Sequence, residues 1–228
     1  MNYAEVQKIA KDTMAYAKSH IMPGMKLLDI REMCEHKMLD LGADSFWYWD
    51  VGAFVFAGEE TTVSVSGRQY QTSDRIIVEN DIITIDLSPQ KGDTWGDYAR
   101  TIILQNGYVA DNKDVLNQEW KQGLEMETFL HGELTRFATP DTTFEELYYH
   151  MNQLIEEKGY RNLDFSGNLG YSIVRRKSDR IYTERGNQSR LSDVAFFTFE
   201  PHISVKGSLY GYKMENIYYF DQNQFVEL

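Results

Sequence analysis

One cysteine, four prolines and five histidines among 228 residues leave little material for several kinds of chemistry. The lone thiol, Cys34, allows no internal disulfide, and its place in a helical pattern reads as a packed side chain rather than a nucleophile. No proline-rich or Gly/Ser-rich stretch interrupts the chain, so residues 1–228 are expected to form a single domain. No long apolar run is present and the mean hydropathy is -0.49, which argues against a membrane span. Basic residues are also in deficit. Twenty-three Lys and Arg against thirty-five Asp and Glu give a net charge of -12, which repels phosphate backbones and anionic lipids, so neither nucleic acid nor a membrane is expected as a partner. The opening stretch MNYAEVQKIAKDTMAYAKSH lacks the apolar core of a secretory signal and reads as an amphipathic helix, which makes the cytoplasm the expected location.

What the chain does have is 42% hydrophobic and 14% aromatic residues, enough for a folded core and against disorder. Apolar positions Val6, Ile9, Ala10 and Met14 recur near the helical period and predict a helix over Tyr3 to His20. Pro23 and Gly24 stop it, and a second helix is expected up to Gly42. The run FWYWDVGAFVFAG and then TTVSVSG read as strands. Two further helices are predicted over about 112–138 and about 143–158, followed by glycine-rich and aromatic strands broken by the charged stretch 175–192. That stretch reads as an exposed loop over the sheet, or as the border of a pocket. Pro23 to Gly42 and Pro140 to Gly159 have the same spacing. Each is a proline turn, an amphipathic helix and a glycine cap, with Leu27 aligned to Phe144, Ile30 to Leu147 and Cys34 to Met151. Two related αβ halves are the expectation.

The stretch from Asp81 to Arg100 organises the rest. Asp81 to Leu87 alternates apolar and polar residues as a half-buried strand does, and a turn leads to a second β-like run from Trp95 to Leu104. The hairpin brings Asp86 close to Asp97. Two carboxylates forced together need a cation, a shared proton or a basic residue between them, and a metal is the first expectation. Glu200 and Glu215 lie farther along, each among aromatic and β-branched neighbours where an acid requires a partner.

With these four acids in this order, the segments IDLSPQKGDTWGDYART, SGNLGYSI, FFTFEPHI and GYKMENIYYF resemble the pita-bread metallopeptidases, the family of methionine aminopeptidase, aminopeptidase P, prolidase and creatinase. The resemblance implies an α+β pita-bread fold, with two pseudo-symmetric αβ halves around a curved, mainly antiparallel sheet. It implies one or two divalent metal ions held by Asp86, Asp97, Glu200 and Glu215, and hydrolysis of a peptide or small amide by a metal-activated water, with Glu200 shuttling the proton. The family's Gly-His-x-Ile-Gly motif reads Gly167-Asn168-Leu169-Gly170 here, which puts Asn168 in place of the histidine ligand, and the family's two substrate-contacting histidines fall near Ser66 and Arg175. Losing the imidazole leaves an all-oxygen shell, which favours manganese, iron or magnesium over zinc and also admits cobalt. Arg175 or Arg176 offers a carboxylate-binding cation, and His202, on the same face as Glu200 in an extended segment, offers a ring near the site. The altered histidine set keeps two other readings open: a lyase or oxidative enzyme on the same fold, and a pseudoenzyme that binds a peptide or protein. A small molecule or peptide is the expected substrate, and a homodimer is admitted as the assembly.

Overall fold

The computed structural model describes residues 2–222 and 224–228. Its first helix, α1 (Tyr3–His20), begins at a capping box in which the Asn2 side chain accepts the Glu5 N–H and the Glu5 carboxylate accepts the Asn2 N–H. It buries Val6, Ile9, Ala10 and Met14, the positions that carried the helical period. Helix α2 (Leu27–Asp40) runs to a glycine turn at Gly42. The second half repeats the plan with α3 (Gln118–Phe137) and α4 (Phe144–Glu157), and Gly159 takes the same left-handed turn as Gly42. Helices α2 and α4 are both 14 residues long, and the aligned pairs Leu27/Phe144, Ile30/Leu147 and Cys34/Met151 are all fully buried. Burial pushes the Cys34 thiol up to about 12, so it is protonated and inert.

Between the helix pairs lies a ten-stranded sheet, and every strand pairing among the described residues is antiparallel. Its main strands are β1 (Ala53–Ala57), β2 (Asp81–Leu87), β3 (Tyr98–Gln105), β4 (Tyr160–Asn162), β5 (Ser172–Ile173), β6 (Phe196–Phe199), β7 (His202–Val205), β8 (Tyr212–Asp221) and β9 (Gln224–Glu227). The order is β1-β2-β3-β8-β6-β5, with β7 and β9 also paired to β8 and β4 paired to β7. Strand β8 therefore joins the two halves. One core packs α1 and α2 on β1 to β3, and the other packs α3 and α4 on β6 to β8. The arrangement is the pita-bread architecture. No helix among the described residues is long and apolar enough to cross a membrane.

Two elements differ from expectation. TTVSVSG forms no strand: Gly58–Thr62 is a 3-10 turn closed by Thr61 and Thr62 hydroxyls donating to the Gly58 and Glu59 carbonyls, and 63–66 is irregular. The third helix starts at Gln118 rather than near 112, because Asn117 caps it by accepting the Trp120 N–H.

Candidate metal centre

Strand register assembles the site. Asp86 on β2 and Glu215 on β8 both face Ala99 on β3, one from each side, so the three side chains share one face of the sheet. Ala99 is fully buried and ends at Cβ, which leaves the space beside it to the two carboxylates. Asp97 precedes Ala99 by two positions and Lys213 precedes Glu215 by two, so the pleat turns both to the same face. Glu200 follows the end of β6, whose Phe199 pairs with Asn216, and this brings it opposite Glu215. Oxygens of Asp86, Glu200 and Glu215 lie within 4.8 Å of one another. The four acids predicted from sequence thus cluster at the junction of the two halves, Asp86, Asp97 and Glu200 lining a cavity of about 300 Å³ and Glu215 fully buried beside them.

The basic residue that compensates them is Lys213. Its Nζ donates to Asp86 Oδ2 at 2.5 Å and lies 3.3 Å from Glu200 Oε2. Burial works to lower its pKa, but Asp86, Glu200 and Glu215 outweigh it and hold the ammonium well above the usual range. One ammonium among four acids leaves the rest under-compensated. Asp97 is raised well above the ordinary carboxylate range by burial and by Asp86 and Glu200, although the Tyr171 hydroxyl donates to its Oδ2 at 2.5 Å. Glu200 is pushed up to about 7 by burial, against the pull of Lys213. Glu215 is raised by burial and then by Asp97 and Glu200, and neither of its oxygens has a hydrogen-bond partner. A fully buried carboxylate with two orphaned oxygens is the feature a cation would satisfy.

Backbone clamps hold the wall still. The Gln7 side chain on α1 accepts the Asp97 N–H at 3.0 Å and donates to the Asp97 carbonyl at 2.6 Å. Arg100 donates to the Glu215 carbonyl at 2.8 Å and to Asn216 Oδ1 at 2.6 Å. Thr101 exchanges hydrogen bonds with the Lys213 backbone, so the β3–β8 register is fixed on either side of Ala99.

The other expected site residues fall in different places. Asn168 lines the cavity, its Oδ1 accepting the Gly170 N–H at 3.4 Å. His202 also lines it, but Nε2 is tied to the Thr61 carbonyl at 2.7 Å, and burial lowers the ring to about 4, so it is neutral. Arg175 stands at the surface, paired with Asp93. Ser66 lies outside the lining, where Val63, Ser64 and Val65 form the wall, and its carbonyl accepts the Gln69 and Tyr70 N–H groups. Lys213, Tyr171 and Gln7 went unnoticed in the sequence. The period-two spacing of Lys213 from Glu215 was the available signal for the first, whereas the long-range contacts of Tyr171 and Gln7 carry no local pattern.

The model of metallopeptidase family M24 matches residues 2–222. The chain belongs to family M24. Among solved structures, this M24 chain superposes on the X-Pro aminopeptidase of Thermotoga maritima with a TM-score of 0.80 at 18% identity, covering 99% of this chain and 58% of that one. The prolidase of Pyrococcus furiosus gives 0.80 at 19%, with 99% and 61% covered. Methionine aminopeptidase of Thermotoga maritima gives 0.74 at 14%, with 98% and 93% covered. The M24 chain therefore spans about three-fifths of the length of the first two. No curated protein sequence matches it.

Proposed function

We propose that this M24 chain is a metal-dependent hydrolase that cleaves an amide bond in a peptide or small amide. The observation that carries the reading is Glu215, buried with two unpartnered oxygens in a cluster where Asp86 and Glu200 already share Lys213 and Asp97 is held by the Tyr171 hydroxyl. Asp86, Asp97, Glu200 and Glu215 would hold the ion, and their all-oxygen donor set favours manganese, magnesium or ferrous iron over zinc. With Lys213 supplying one positive charge, a single divalent ion brings four ionised carboxylates close to neutrality, so one ion per chain is the expected stoichiometry. Such an ion supplies Lewis acidity, which polarises a carbonyl group.

The chain's own residues supply the remainder. Glu200, pushed up to about 7 by burial in the metal-free cluster, is the acid of the cavity lining placed to exchange a proton, and a bound ion would lower it from that value. Lys213 presents a charged hydrogen-bond donor to the cavity, where histidines are expected from the family, while the Tyr171 hydroxyl is committed to Asp97. Aromatic walls from Trp47, Phe54 and Phe56 exclude water and accept an apolar group.

The test is elemental analysis of protein purified without chelator, followed by turnover of Xaa-Pro, Xaa-Ala and N-acyl amino acid compounds in manganese. About one ion per chain, its loss in Glu215→Gln, and hydrolysis of at least one compound class are expected. Protein that carries no metal and gains no melting temperature on adding manganese would sink the reading.

A further inference from the structure

The acids of the metal centre are aimed by different means. Lys213 holds Asp86 and Glu200, and the Tyr171 hydroxyl holds Asp97, whereas among the described residues no hydrogen bond reaches either oxygen of Glu215. The direction of the Glu215 side chain is therefore set by its own backbone on β8 and by packing beside Ala99. That backbone is gripped from the other face of the sheet. His131 on α3 donates from Nε2 to the Met214 carbonyl at 3.1 Å, one peptide before the glutamate, and Arg100 donates to the Glu215 carbonyl at 2.8 Å, one peptide after it.

The two grips are joined into a circuit. Asn216 Oδ1 accepts from Arg100 at 2.6 Å, and Asn216 Nδ2 donates to Glu227 Oε2 at 3.0 Å and to the Tyr218 hydroxyl at 3.2 Å, which passes its own proton to His131 Nδ1 at 2.7 Å. Each proton has a single direction. A guanidinium only donates and a carboxylate only accepts, so the Asn216 amide cannot flip, the hydroxyl points at Nδ1, and the ring hydrogen sits on Nε2. The Met214 carbonyl, which only accepts, requires the same tautomer independently. His131, Asn216 and Tyr218 are at most 6% exposed, and burial lowers the His131 ring to about 3, so it stays neutral.

We propose that His131 is a positioning residue for the metal: through the Met214 carbonyl, and through the circuit that returns by Tyr218 and Asn216, it fixes the direction in which Glu215 presents its carboxylate to the ion. The inference rests on the reading of Glu215 as a metal ligand. A ligand with side-chain hydrogen bonds of its own tolerates a slack backbone, and Glu215 has none. A shift of its peptide therefore passes directly to the donor atoms. Glutamine at position 131 can place an amide nitrogen where Nε2 stands and still donate to Met214, whereas leucine fills similar space and donates nothing.

Two measurements test this, both made well below the melting temperature of each variant: manganese titration of chelator-stripped protein, read by electron paramagnetic resonance of the free ion, and amide hydrogen exchange over residues 213–217 of the metal-free protein. His131→Leu should loosen manganese about tenfold and speed exchange over 213–217, and His131→Gln should return both to within about threefold of wild type. Tyr218→Phe deletes one oxygen and keeps the ring stacked on Phe225, and it should loosen manganese about threefold. A purely structural role predicts a lower melting temperature with manganese affinity unchanged, and that result overturns the proposal. So does a loss in His131→Leu that His131→Gln does not restore. Should His131→Leu fail to fold, Tyr218→Phe decides, and wild-type affinity in that variant overturns the proposal. Wild-type protein that takes up no manganese removes the metal reading instead, and the exchange data then still judge the grip on β8: rates over 213–217 that do not respond to His131→Leu overturn it.

Discussion

Removing the Lys213 ammonium is the sharpest single change available at the site. It neutralises Asp86 directly and Glu200 in part, and all three side chains are more than four-fifths buried, so its loss leaves like charges facing each other across a poorly hydrated space. An exposed pair of this kind would contribute well under about 1 kcal/mol, but a buried one broken from one side costs about 3 kcal/mol. Lys213→Met should therefore lower the stability of metal-free protein by about 3 kcal/mol in urea titrations, and most of that loss should return when manganese is added. A loss of equal size with and without manganese would mean that Lys213 serves packing alone. The sequence made the four acids legible, because each sits beside a β pattern and a family motif. Lys213 is not legible in the same way, because a single lysine in a strand carries no pattern that separates a buried counter-ion from a solvated surface charge.

At the scale of elements, the glycine-rich segment before β5 sets the position of Tyr171, and Gly170 is where it is most constrained. Its φ is +137°, and a Cβ there would lie 2.2 Å from the Thr198 carbonyl oxygen. Gly186 also has positive φ, at +87°, but nothing lies near its missing Cβ. Backbone strain alone costs about 1–2 kcal/mol, and the clash adds to it, so Gly170→Ala should cost about 3 kcal/mol or more while Gly186→Ala costs about 1. Thermal melts of the two variants check this, and equal losses would refute the steric part. The four helices were readable from their apolar period, although α2 has no side-chain cap and α3 starts later than expected, and the repeated proline-to-glycine spacing proved to be the twin helices α2 and α4. The turn at Gly58–Thr62 was not readable, since threonine is a strand former by propensity and here closes its own backbone turn instead. The stretch 175–192 left two readings open, and Arg180, Tyr182 and Glu184 place it at the cavity border.

For the molecule as a whole, the raised carboxyls make stability and metal binding depend on pH in a defined sense. Glu200, at about 7, together with Asp97 and Glu215, keeps protons in the folded protein that the unfolded chain has already released above about pH 4.3. These groups weaken the metal-free fold as pH rises through that window. His131 and His202, lowered by burial to about 3 and about 4, act in the opposite direction, because the unfolded chain protonates them first as pH falls below about 6.5. A metal replaces the carboxyl protons and leaves both rings as they are. The difference in melting temperature between manganese-loaded and metal-free protein therefore isolates the acids, and it should grow between about pH 5 and about pH 7.5. A difference that stays flat across that range would show that the acids are ionised without the metal. The clamp from α1 has a consequence of its own. Because the Asp97 amide is satisfied by a glutamine side chain on the first helix instead of by a neighbouring strand, its exchange with deuterated solvent is a local gauge of whether that helix is seated, readable at a single peptide while the rest of the sheet stays protected.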